Sequence, residues 1–128
     1  MRRRFGMLLA ALVLALASCD GPSAGEVTLI LTTPNSDDGA VSFAVRVAAP
    51  NEVTGATAAC TGCEVFYTKV SATELRGIVT GDLAPGPVVR LAVTQGGPNE
   101  AYRLDVLEVA NRQFDVVEPA GYTLTAQR

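Results

Sequence analysis

Residues 40–47 constrain this chain more than any other stretch: Val41, Phe43, Val45 and Val47 point one way, and Ser42, Ala44 and Arg46 the other. Side chains of a strand face opposite sides in turn, so this period of two requires an extended segment with one face on a core. The same signal precedes it, with Val27, Leu29 and Leu31 alternating with Thr28, Ile30 and Thr32, and 34–39 (Pro-Asn-Ser-Asp-Asp-Gly) supply a turn between the two runs. Further strand-like runs fall at 64–70, 75–80, 88–94, 101–109 and 122–126. They are separated by Gly81-Asp82, Pro85-Gly86-Pro87, Gly96-Gly97-Pro98-Asn99 and Pro119-Ala120-Gly121. Tyr102 to Val109 also fits a helical spacing through Leu104, Leu107 and Val109, but the alternation of Tyr102, Leu104 and Val106 favours a strand. Seven or eight short strands without a helical pattern of 10 to 15 residues predict an all-β, antiparallel β-sandwich. At 128 residues there is room for one such domain, expected over residues 26–128.

The N-terminus has a different logic. Arg2, Arg3 and Arg4 precede an apolar run from Phe5 to Ala17, the layout of an export signal. A bilayer span needs about 20 apolar residues, so a run this short reads as removable. It ends in Leu16-Ala17-Ser18-Cys19, which resembles the lipobox of bacterial lipoproteins. The resemblance implies a signal over residues 1–18, a diacylglyceryl thioether on Cys19, and a mature chain starting there. Two or more acyl chains hold stably in a membrane where a single one is marginal. The same residues contain Ala15-Leu16-Ala17, an ordinary A-x-A site whose cleavage would release a soluble chain with Cys19 free. Residues 19–25, Cys-Asp-Gly-Pro-Ser-Ala-Gly, read as the anchor and a flexible tether. The expected location is the bacterial cell envelope, outside the cytoplasm, with inner and outer membrane both open. Losing Arg2 to Arg4 leaves seven bases against thirteen acids, a net charge of −6. That balance disfavours nucleic acid and peripheral binding to anionic headgroups.

The order of the strands in the mature domain is similar to that of the cohesin-like β-sandwich family. The likeness is carried by 40–47, by the glycine-containing strand Leu75-Arg76-Gly77-Ile78-Val79-Thr80, and by Pro85-Gly86-Pro87 leading into Val88-Val89-Arg90-Leu91-Ala92-Val93. It implies a cohesin-like or immunoglobulin-like, or else jelly-roll, sandwich that holds an extracellular protein partner through an exposed sheet face. No motif fixes a binding residue.

Candidates for chemistry are few. Cys60-Thr61-Gly62-Cys63 has redox or half-zinc spacing. A redox pair is expected at the start of a helix, where the helix N-terminus lowers the thiol pKa, and zinc would need ligands beyond a chain with no histidine. In an exported chain an even pair left after Cys19 is expected to form a structural disulfide, Cys60 to Cys63. The acidic turn at 35–39 lacks EF-hand spacing, since the twelfth position is Arg46, and is expected to be a solvated turn. There is no histidine for a triad and no phosphate loop, so no catalytic residue, metal or cofactor is expected. Without Trp, and with Tyr67, Tyr102 and Tyr122 inside apolar runs, stacking on sugars is disfavoured. The expected function is a non-catalytic protein-binding or scaffold module. The alternatives are a carbohydrate-binding module, which would need Tyr67 and Tyr102 exposed on one concave face, and a CxxC redox or metal protein.

Overall fold

The computed structural model describes residues 25–95 and 101–128. The export signal, Cys19, most of the tether and the turn at 96–99 lie outside the described residues. Nine strands follow in order: β1 (Gly25–Thr32), β2 (Asp38–Val47), β3 (Val53–Ala58), β4 (Glu64–Lys69), β5 (Glu74–Leu83), β6 (Gly86–Val93), β7 (Tyr102–Asn111), β8 (Val116–Val117) and β9 (Thr123–Gln127). They form a four-stranded sheet, β3-β6-β1-β9, and a five-stranded sheet, β4-β5-β2-β7-β8. Every pairing is antiparallel, and the two sheets pack face to face as a β-sandwich.

The alternation in the sequence becomes the core. Val41, Phe43, Val45 and Val47 of β2 are buried against Val27, Leu29 and Leu31 of β1, together with Leu75, Val79, Leu91 and Val93. The segment with two readings, β7, is a strand with a bulge: Ser42 pairs with Glu108 but Phe43 with Val106, so Leu107 is extra and lies exposed. Gly25, expected as the end of the tether, already pairs with Val93 as the first residue of β1.

In the turn at 35–39, Asn35, Ser36 and Asp37 are exposed, as a solvated turn requires, and Asp38 departs from that expectation. Asp38 is fully buried, because both carboxylate oxygens are taken up locally. The Tyr122 hydroxyl donates to Oδ1 at 2.6 Å and the Thr33 hydroxyl donates to Oδ2 at 2.5 Å. Asn35 in turn donates from Nδ2 to the Tyr122 hydroxyl at 2.7 Å. A buried carboxylate must have such donors, since an unpartnered one would forgo its hydration. At the opposite end buried Asn51 ties three segments together, donating to the Tyr102 hydroxyl at 3.3 Å and accepting the amide of Gln95 at 2.9 Å. The peptide bond between Ala49 and Pro50 nearby is cis.

Because β1 runs from its pairing with Val93 toward the turn that starts β2, the chain enters the sandwich on the four-stranded sheet. The five-stranded sheet is the opposite layer.

Candidate functional site

Inward-facing residues are settled by burial, and the register then fixes what the five-stranded sheet presents outward. One row across β4, β5, β2, β7 and β8 reads Glu64, Thr80, Ala40, Ala110, Val116. The next reads Phe66, Ile78, Ser42, Glu108, and the third Thr68, Arg76, Ala44, Asp105. A fourth, across β5, β2 and β7, reads Glu74, Arg46, Arg103. Ala40, Ser42 and Ala44 of β2, with Thr80 and Ala110 beside Ala40, are the small side chains of this face; larger apolar residues stand at its margins, Phe66, 57% exposed, on β4, and Val116, 84% exposed, on β8.

Among the described residues, concavities open on this face at two places. The larger, about 510 Å³, lies between Gly39 and Ala40, Thr80 to Asp82, and the hairpin that joins β7 to β8. Gly39 brings the backbone close there: a Cβ would stand 2.9 Å from the carbonyl oxygen of Asn111. The hairpin is set by Asn111, whose side-chain oxygen accepts the amides of Gln113 and Asp115, both at 3.0 Å. Its αL position holds Phe114, with φ 67° and the side chain 91% exposed. Glycine or asparagine ordinarily takes that conformation, so a bulky aromatic there is held at a local cost with its ring in solvent. Arg112 and Asp82 form an ion pair across the cleft mouth at 3.2 Å. The second concavity, about 340 Å³, is shallower and is lined by Phe66, Thr68, Arg76 and Ile78.

The lower rows are charged. Arg46 donates from Nε to Glu74 Oε1 at 2.5 Å, and Arg76 stands 3.9 Å from the other oxygen of Glu74. The hydrogen bond to Glu74, and then its charge, hold the Arg46 guanidinium protonated above its ordinary range; burial acts weakly against this, and Asp105 adds to it. The face thus has an apolar end and an end of paired charges. Phe114 gave no signal in the sequence, because a single Phe in Gln-Phe-Asp carries no period; only the hairpin geometry exposes it.

The other sequence candidates fall elsewhere. Cys60 and Cys63 lie in the turn between β3 and β4, within disulfide-bonding distance, with Cα atoms 5.4 Å apart. Among the described residues no helix begins at either cysteine. Gly62 takes the turn with φ 75°, and Gly81 packs so closely that a Cβ would meet Cys63 Sγ at 3.3 Å. Closing a loop of four residues removes little chain entropy, about 2 kcal/mol at most. Replacing both cysteines by Ser is therefore expected to leave the fold intact and to lower unfolding free energy by no more than about that amount. Urea denaturation monitored by circular dichroism measures this, and a variant that fails to fold would show the pair to be essential.

Among the described residues no group of three or more Cys, Asp or Glu side chains is gathered as a metal site. Tyr67 is exposed on β4, whereas Tyr102 and Tyr122 are buried, so Tyr67 and Tyr102 do not form one exposed platform. Among the described residues no helix is long and apolar enough to cross a membrane. Compared with known protein families, curated proteins and solved structures, the chain matches none.

Proposed function

We propose that this chain is a lipid-anchored, non-catalytic protein-binding module of the bacterial cell envelope, docking its partner on the outer face of the five-stranded sheet. The observation that carries the reading is the composition of that face. A floor of Ala40, Ser42, Thr80 and Ala110 lies between exposed Phe66 and exposed Phe114 and Val116. Interfaces are centred on aromatic anchors within a polar rim, and here Arg46, Arg76, Glu74 and Asp105 supply the rim. The outer face of the other sheet is unlike it over β1 and β9, where Thr28, Thr32, Thr123, Thr125 and Gln127 surround Ile30. β1 starts at Gly25, so a tether from Cys19 would join the sandwich at an end of the four-stranded sheet and not on the outer face of the five-stranded one.

The test is capture by the full-length, membrane-extracted protein, compared between variants. Ile78→Lys and Phe114→Ser should each reduce recovery of the partner at least tenfold, since a desolvated anchor contributes about 2 kcal/mol or more. Thr125→Lys, on the opposite face, should leave recovery unchanged. In parallel, Cys19→Ala should move the protein from the membrane to the soluble fraction or leave it unprocessed. Equal recovery by all variants would remove this face from the binding role, and membrane retention of a correctly processed Cys19→Ala chain would remove the lipid anchor.

A further inference from the structure

We infer that the free edge of β4 is a self-association site, at which two copies of this chain pair antiparallel and join their five-stranded sheets into one of ten strands.

The edge is open and regular. β4 pairs on one side only, with β5, in a single unbroken register from Glu64 opposite Thr80 to Lys69 opposite Leu75. The register continues into the turn, where the amide of Val70 donates to the carbonyl of Glu74 at 3.0 Å. Hydrogen-bonded and non-hydrogen-bonded pairs alternate along an antiparallel ladder. Residues 64, 66 and 68 therefore spend their backbone groups on β5, and Val65, Tyr67 and Lys69 direct theirs away from the sheet. Among the described residues none of those three amides has a backbone partner. The other edge strands are less suited: β3 is interrupted by a register shift, β8 has two residues, and β9 presents threonines and a glutamine.

The residues on β4 are complementary to themselves. A two-fold axis relating two antiparallel strands is perpendicular to the sheet, so outward side chains meet outward side chains. With the axis at Phe66, the two Phe66 rings form a central non-hydrogen-bonded pair, the type with the closer side chains. Val65 then lies opposite Tyr67 of the second copy, and both use the backbone groups left free. Glu64 lies opposite Thr68 of the second copy, whose neighbour in the same row is Arg76. Two strand spacings separate Glu64 from that Arg76, about 9.6 Å, within the combined reach of the two side chains. Within one chain, among the described residues, Glu64 has no ion pair, and Arg76 has only the 3.9 Å approach to Glu74. Pairing thus covers two exposed aromatics with each other and adds two symmetric Glu64–Arg76 pairs. Lys69, whose charge would oppose edge pairing, lies beyond the paired stretch. The arrangement also fuses the two outer faces, and with the axis along a membrane normal both four-stranded layers face the same way.

A six-residue edge is a small interface, so the association is expected to be weak in dilute solution and favoured where copies are concentrated on a surface. The test uses the full-length chain. In Phe66→Cys the paired Cα atoms would lie about 4.5 Å apart, inside the range that a disulfide spans. Mild oxidation should convert most of the protein to a covalent dimer on a non-reducing gel, whereas wild type and Phe114→Cys remain monomeric. Adding Val65→Pro, which removes an amide facing the open edge and none that pairs with β5, should cut the cross-linked fraction at least fivefold. Should Val65→Pro disturb folding, the charge exchange decides instead. Glu64→Arg should suppress cross-linking in the Phe66→Cys chain, and Glu64→Arg with Arg76→Glu should restore it. Cross-linking of Phe66→Cys no greater than that of Phe114→Cys, or indifference to the charge exchange, would overturn the inference. Phe66 and Arg76 also border the partner-docking face, so that face is tested separately by Ile78→Lys and Phe114→Ser, which leave Phe66, Glu64 and Arg76 unchanged.

Discussion

Replacing Phe43 by Ala is expected to lower the unfolding free energy by about 3–5 kcal/mol, enough to leave a domain of this size marginal or unfolded. Phe43 is the largest fully buried side chain and sits on β2, the central strand of the five-stranded sheet. Its ring occupies space vacated by Gly77 directly across the ladder: a Cβ on Gly77 would stand 2.7 Å from Phe43 Cζ and 3.0 Å from the carbonyl oxygen of Phe66. The core is therefore built as a large and a small residue in register, and truncating the large one leaves a cavity between two sheets that cannot close without slipping the register. The geometry also fixes a coupling. Gly77→Ala alone should destabilise by about 1–3 kcal/mol through overpacking, but it should cost much less in the Phe43→Ala background, where the ring is gone. Urea titration of the four chains gives the cycle. A loss under about 1 kcal/mol for Phe43→Ala, or strict additivity of the two changes, would contradict this packing.

The sandwich was legible because its strands alternate over long stretches. β1 and β2 could be read residue by residue, and Val27, Leu29, Leu31, Val41, Phe43, Val45 and Val47 are all buried as their periodicity requires. β3 escaped because Gly55, Ala56 and Ala58 carry too little side chain to show a period; Gly55 is small where the Tyr67 hydroxyl lies, 3.1 Å from where its Cβ would be. β8 escaped because two residues have no period at all. The bulge at Leu107 gave β7 its second, helical reading: the extra residue interrupts the alternation and puts an apolar side chain three positions after Leu104. The outer face of the five-stranded sheet was illegible as a site for a related reason. Its floor of Ala, Ser and Thr looks like ordinary strand composition, and only the register assembles those residues beside Phe66 and the Phe114 hairpin. Asp38 looks in the sequence like part of a solvated turn because its nearest neighbours are turn residues, whereas a hydroxyl that buries it comes from Tyr122, 84 residues away.

That long-range pair carries the second large expected effect. Tyr122→Phe keeps the ring in the core but removes the hydroxyl that donates to Asp38 Oδ1, leaving one oxygen of a fully buried carboxylate without its donor. An unsatisfied buried group costs about 1–3 kcal/mol, and more when it is charged, so a loss of about 3 kcal/mol is expected. Asp38→Ala should cost a similar amount by a different route, since the Tyr122 hydroxyl then loses its acceptor and keeps only its bond from Asn35, while the Thr33 hydroxyl is left with the carbonyl of Asn35 at 3.2 Å. The two changes remove the same interaction, so the double variant should be more stable than the sum of the single losses predicts, by about 1–2 kcal/mol. The consequence extends to the candidate site. Asp38 begins β2 opposite Asn111, and the adjoining amide of Arg112 donates to the carbonyl of Asp37 at 2.9 Å, so the same corner supports the base of the Phe114 hairpin. Loss of the Asp38–Tyr122 bond should therefore raise amide exchange at residues 111–115 before it affects the Asn51 end of the sandwich. Urea unfolding of the two single variants and the double, with residue-resolved hydrogen exchange, measures both effects. A Tyr122→Phe chain within about 0.5 kcal/mol of the wild type would show that Asp38 does not depend on this hydroxyl, and with it the link from the buried carboxylate to the binding face would fail.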